Sequence, residues 1–157
     1  MLSAFAQPDL SSKFEKGDEA PLFGAKDQYQ KEVKSEELLE NGAVVLLFYR
    51  GAWCPVCKKH LSRLQDSLQL VLDKGASVVV VTPEQPEYIE KMVSKTGATY
   101  SILHDEDYKI MDSFGVKFEV IKENVPKFFN YTRNGTRRSN GNEDDVLPVP
   151  ALSLIHI

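Results

Sequence analysis

Ala43-Val44-Val45-Leu46-Leu47-Phe48-Tyr49, then Arg50-Gly51-Ala52-Trp53, then Cys54-Pro55-Val56-Cys57, is the stretch whose reading decides the fold. The first run is continuously apolar, rich in β-forming residues and seven residues long, which fits a strand buried on both faces, as in a parallel sheet. Arg50 to Trp53 breaks it. From Cys54 onward a helical pattern begins, with Leu61, Leu64, Leu68 and Val71 on one face at steps of three, four and three. Lys74-Gly75 ends that pattern with a cation and a glycine, as helix C-termini prefer. Two cysteines therefore sit where a buried strand hands over to a helix.

The same alternation continues downstream. Ser77–Val81 reads as a second buried strand closed by Thr82-Pro83, Pro86–Lys95 as a helix stopped at Gly97, and Tyr100–Leu103 as a third strand. Asp105–Phe114 reads as a short helix ended by Gly115, with Asp105, Glu106 and Asp107 at its start, where the helix dipole favours acids. Strand and helix in turn argue for an α/β fold with a mainly parallel central sheet flanked by helices. Upstream, residues 1–15 read as an N-terminal arm and Lys26–Val33 as a small hairpin. Ser35 opens a helix that Asn41-Gly42 ends. Residues 122–147 are dominated by Asn, Gly, Arg, Glu and Asp and read as a long loop. Within it Arg133, Arg137 and Arg138 form a basic cluster, followed by Glu143, Asp144 and Asp145, the pattern of a solvated face. Ala151–Ile157 is apolar enough for one more strand.

Composition narrows the function classes. A chain of 157 residues is one domain. A hydrophobic fraction of 42% with 27% charged residues suits a folded globule with a core. The 19 Lys and Arg against 23 Asp and Glu give a net charge of −4, which argues against broad electrostatic binding to nucleic acid. No apolar run approaches the ~20 residues of a membrane helix. The N-terminal residues lack the positive charge and apolar length of a signal peptide, so the expected location is the cytoplasm. Two cysteines exclude a disulfide-stapled scaffold.

The chemistry then rests on Cys54-Pro55-Val56-Cys57. A helix start exposes free N–H groups and a partial positive charge, and a thiolate placed there is stabilised. Pro55 suits the first helical turn, where its missing N–H costs nothing. Cys54 is thereby expected to be the more exposed, low-pKa thiol, with Cys57 one turn further in and able to attack a mixed disulfide or sulfenic acid on Cys54. The same residues admit two other readings. They could be two small buried apolar side chains, or metal ligands together with His60 and a remote His104, although no second C-x-x-C completes a structural zinc site.

The segment Phe48–Cys57 resembles the thioredoxin-like superfamily and, more narrowly, a peroxiredoxin-like branch of the alkyl hydroperoxide reductase/thiol-specific antioxidant family. The resemblance runs from about Lys16-Gly17-Asp18-Glu19-Ala20-Pro21 to Pro150. Supporting segments are Val78–Pro83, Leu103-His104-Asp105, Phe114-Gly115-Val116 and Leu147-Pro148-Val149-Pro150. It implies a thioredoxin-like redox domain over residues 16–157. It also implies a thiol-based antioxidant enzyme, in which the Cys54 thiolate reduces a hydroperoxide and Cys57 is the resolving thiol. A thioredoxin-type or small-thiol donor completes the cycle, without a metal or organic cofactor. Pro150 is implied to be a cis-proline facing the redox pair and positioning substrate. Arg50 is a candidate for lowering the Cys54 pKa, and Trp53 for a contact surface beside it.

The chain departs from the family's pattern, which places a Pro seven residues and a Thr or Ser three residues before the attacking Cys. Here those positions hold Leu47 and Gly51. That pulls the reading toward a second activity, direct thiol–disulfide exchange with a disulfide substrate. A non-enzymatic alternative is a thioredoxin-like binding or redox-sensing module. The resemblance also implies two antiparallel strands and a final helix after Pro150. Ala151–Ile157 supplies about one strand, so the domain is expected to be truncated after about residue 150.

Overall fold

The apolar run after Gly42 does form the central strand of a four-stranded sheet. The computed structural model describes residues 13–119 and 127–156, so most of the arm read over residues 1–15 lies outside the described residues. A short hairpin of β1 (Gly24–Lys26) and β2 (Glu32–Lys34) leads into α1 (Ser35–Leu39) and then β3 (Ala43–Phe48). Next come α2 (Pro55–Asp66), α3 (Leu68–Leu72), β4 (Ala76–Thr82), α4 (Pro86–Thr96), β5 (Ser101–His104) and α5 (Lys109–Ser113). The last described elements are β6 (Lys117–Glu119), α6 (Lys127–Asn140), β7 (Val146–Pro148) and β8 (Ala151–Ile155).

The central sheet runs β5-β4-β3-β8. β3 pairs β4 in parallel with Val44 opposite Ser77 and Phe48 opposite Val81, and β4 pairs β5 in parallel with Val79 opposite Ser101. β8 closes the other side of β3 antiparallel, Ala151 opposite Phe48. Because side chains alternate across a strand, β3 feeds two cores. Val44, Leu46 and Phe48 pack with Val79, Val81, Phe114 and Met111 on one face. Leu47 and Tyr49 pack with Val80, Leu61, Ile89, Met92 and both cysteines on the other. Parallel strands with both faces covered explain why β3 and β4 read as unbroken apolar runs rather than alternating ones.

The structure differs from the sequence reading in three places. The helix expected to run unbroken from the cysteines to Gly75 is split at Ser67, whose φ of −101° and ψ of 2° end α2 before α3 begins. Ser after Asp competes for backbone hydrogen bonds and favours such a break. The long loop read over residues 122–147 contains a fourteen-residue helix, α6. Among its residues whose burial is described, those facing inward are Gly135, Thr136, Ser139 and Asn140, so this part of the helix has helical spacing without apolar residues. Finally, no peptide bond among the described residues is cis, so Val149–Pro150 is trans. The Val149 N–H donates to the Val116 carbonyl (2.8 Å) while the chain passes from β7 to β8, and the extended trans path, the low-energy form, makes that crossing.

The acidic run after β5 has a structural use. Asp105 is buried, and its carboxylate accepts from the N–H groups of Ile110 (3.0 Å) and Met111 (2.8 Å), capping α5.

Candidate active site

β3 and β4 run parallel, so the loops that follow them, Tyr49–Cys54 and Pro83–Gln85, emerge side by side at the same edge of the sheet, where sites in such folds collect. Cys54 is the N-cap of α2 with extended backbone, and Pro55 is at the helix's first position. The cap is made by sulfur: the Cys57 N–H donates to Cys54 Sγ at 3.4 Å. The backbone turn before it is closed by the Cys54 N–H on the Gly51 carbonyl (3.0 Å).

Both cysteines are free thiols, and each is 7% exposed. The expectation that Cys54 is the more exposed of the two is therefore corrected: the pair is distinguished by electrostatics, not by access. The Cys57 thiol directed at Cys54 is the largest influence holding the Cys54 pKa down, to about 6. Burial opposes this, while the Cys57 N–H and the Arg50 guanidinium assist. Cys57 moves the other way, first because its proton is held against Cys54 and then because it is buried. One thiol is an anion at neutral pH and its neighbour is a proton-bearing thiol, the division of labour an attacking and a resolving cysteine need.

A cavity of about 390 Å³ opens onto this pair. Arg50, Trp53, Cys54, Val56, Cys57, His60, Tyr131 and Pro150 are among its walls, so the structure brings every sequence-predicted site residue to one place. The walls are chiefly apolar; Val56 and Tyr131 remain exposed at the surface. His60 lies on the exposed side of α2, at the cavity. Among the described residues, no group of three or more His, Cys, Asp or Glu side chains is placed to hold a metal ion.

Trp53 is half-buried and clamped by α6. The Tyr131 hydroxyl donates to the Trp53 carbonyl (3.3 Å), and the two rings meet edge to face with centroids 6.2 Å apart. Two glycines make room for the indole. A Cβ on Gly135 would lie 2.7 Å from Trp53 Cδ2. A Cβ on Gly51 would press on Trp53 Nε1 and lie 2.7 Å from Glu84 Oε1. The place where the family pattern puts a hydroxyl is thus filled by an indole and a carboxyl.

Glu84 is the site residue that sequence reasoning missed. It follows β4, is fully buried, and accepts from the Ala52 N–H through Oε1 at 2.7 Å. Burial pushes its pKa up to about 7 against the lowering effect of that hydrogen bond. The Tyr49 hydroxyl at the end of β3 is buried beside it, and burial first and the Glu84 charge second push the phenol well up. A lone acid between Pro83 and Pro86 gives no pattern; the available signal was topological, its position at the C-terminal end of a parallel strand next to the cysteine loop.

The arginine cluster lies elsewhere. Arg137 pairs with Glu143 and, through Nη2 at 2.8 Å, with the buried Asp145, and Arg133 Nε is 3.8 Å from Asp145. Arg138 is exposed, and none of the three lines the cysteine cavity. Arg133 and Arg137 thereby hold the end of α6 to the turn before β7.

Comparison with known proteins points the same way as this geometry. The model of the AhpC/TSA family matches residues 16–138. The chain is similar to Peroxiredoxin Bcp of Escherichia coli (strain K12), 28% identical over 100 residues, 64% of each protein. It is similar to the chloroplastic Peroxiredoxin Q of Gentiana triflora, 31% identical over 111 residues, 71% of this chain and 51% of that one. The chain thus spans 64% of the length of the first of these relatives and about half of the second. Among solved structures, Peroxidoxin BcpB from Mycobacterium tuberculosis superposes with a TM-score of 0.69 at 23% identity, covering 88% of this chain and 77% of that one.

Proposed function

Since the chain belongs to the AhpC/TSA family and has a thioredoxin-like α/β fold, we propose that it is a thiol-dependent peroxidase working through Cys54 and Cys57. The Cys54 thiolate attacks one peroxide oxygen; the S–O bond forms as the O–O bond breaks, and the alkoxide leaves as the alcohol after taking a proton. Cys57 then condenses with the sulfenic acid, releasing water and leaving a Cys54–Cys57 disulfide, which an external thioredoxin-type or small thiol reduces. The observation that carries this reading is the asymmetry of the pair. Cys54 is held near pKa 6 at the helix N-cap while Cys57 keeps its proton. Arg50 supports the anion, and the trans Pro150 and Trp53 are walls for the substrate.

One observation favours a second activity. With Gly51 in place of a hydroxyl and no space for one, a disulfide is the alternative oxidant, attacked at sulfur by the same thiolate.

Steady-state peroxide consumption with dithiothreitol as donor tests the reading. Cys54→Ser is expected to abolish turnover. Cys57→Ser is expected to leave a Cys54 sulfenic acid that dimedone traps and mass spectrometry locates. Consumption in the parent no faster than in Cys54→Ser would overturn it.

A further inference from the structure

Glu84 carries an acid where a structural anchor would not need one. Its Oε1 is used by the Ala52 N–H, but Oε2 is buried without a hydrogen-bond partner. Among the described residues no Lys, Arg or His forms an ion pair with it. Burying an unpaired carboxylate is costly, and an amide would accept the same Ala52 N–H without that cost. The groups facing the carboxyl are the Tyr49 hydroxyl from β3, the Cys54 thiol from the N-cap of α2, and the Ser139 hydroxyl from α6. The Tyr49 hydroxyl is fully buried, faces the Glu84 carboxyl and the Thr82 hydroxyl, and belongs to a side chain that packs with Cys57 in the same core cluster.

We propose that Glu84 accepts the Cys57 proton in the resolving step, with the Tyr49 hydroxyl as the relay between them. This rests on the reading of Cys57 as the resolving thiol. The Cys57 thiol must lose its proton in that step, its side chain is buried, and Tyr49 packs in the same core cluster, so the route through Tyr49 to Glu84 is an acceptor within the protein. In the step, the Cys57 S–H proton passes to the Tyr49 oxygen as the phenol gives its own proton to the Glu84 carboxylate. The Cys57 sulfur attacks the Cys54 sulfenic sulfur, the S–O bond breaks, and the departing hydroxide takes the proton from Glu84 and leaves as water. The net change is one thiol and one sulfenic acid to one disulfide and one water. A carboxyl that titrates near neutrality is suited to both halves of that transfer.

The test uses Glu84→Gln, which keeps the acceptor for Ala52, and Tyr49→Phe. Trp53, the single tryptophan, abuts both Gly51 and the Cys54 loop and reports each phase in rapid mixing. After hydrogen peroxide, the ratio of disulfide formation to sulfenic acid formation is expected to fall by roughly 100-fold or more in Glu84→Gln, the low end of what a general base contributes. In the parent, the resolving rate is expected to rise through pH ~7 and level off, because the acceptor must be ionised; Glu84→Gln loses that inflection and Glu84→Asp retains one. A second arm loads Cys54 with 5-thio-2-nitrobenzoate and follows release of the coloured thiolate as Cys57 displaces it. That arm tests Glu84 even if peroxide fails to oxidise Cys54, an outcome that would sink the peroxidase reading alone. Should Glu84→Gln not fold, Tyr49→Phe decides by the same ratio. Resolution at the parental rate and pH profile in the folded variants would overturn the proposal.

Discussion

A side chain at position 51 would collide with the Trp53 indole and the Glu84 carboxyl at once, and neither is the free end of a flexible chain. The departure from the family's hydroxyl pattern is therefore built into the packing rather than a single exchange. Reinstating the hydroxyl as Gly51→Thr is expected to destabilise the protein by about 1–3 kcal/mol, the usual effect of overpacking. Trp53 emission should shift as the indole is displaced, and peroxide reactivity should not increase. Thermal unfolding together with the peroxide rate checks this; an unchanged midpoint with a faster reaction would refute it. The placing of Cys54 at a helix start with Pro55 behind it was legible at this scale, whereas the equal burial of the two thiols was not. Glu84 and Tyr49 were not. What brings Glu84 to the cysteine loop is its hydrogen bond with the Ala52 N–H, 32 positions away in the chain, which local pattern does not carry.

Among the elements, α6 is the one that sequence pattern misjudged, and its composition gives the reason. Apolar periodicity signals a helix only when its inward face is apolar. Here the inward-facing residues among those described are Gly135, Thr136, Ser139 and Asn140, and this part docks by hydrogen bonds. The Gln85 N–H donates to the Ser139 carbonyl (2.7 Å), Gln85 Nε2 to the Asn140 carbonyl (2.8 Å), and Asn140 Nδ2 to the Val146 carbonyl (2.8 Å). By contrast β3, β4, α4 and β5 were legible, because both faces of the parallel strands and one face of α4 are buried in apolar core. Gly135 is the contact through which α6 meets the site. Gly135→Val is expected to lower the unfolding midpoint, at roughly 2–4 °C per kcal/mol for a chain of this size, and to move Trp53 emission toward that of a solvated indole. Retention of the parental emission maximum would show that α6 does not clamp Trp53.

Taken whole, the molecule assembles its chemistry at the edge where β3 and β4 end, from the loop after each strand, the start of α2 and the side of α6. The parallel sheet supplies the position, the Cys57 thiol first and the helix-start N–H after it hold the Cys54 pKa down, and a chiefly apolar cavity opens onto the pair. The central claim is that this arrangement makes Cys54 a peroxide-reactive thiolate. It is tested most directly by rapidly mixing the reduced protein with hydrogen peroxide and following Trp53 fluorescence across pH. Because the folded Cys54 pKa is lowered, the thiolate fraction rises with pH and is nearly complete above the shifted value. The account predicts a fast phase, absent in Cys54→Ser, whose rate rises through a midpoint at pH about 6 and is flat above it. A peroxide phase no faster than that of an ordinary thiol, with a midpoint near ~8.5, would contradict it.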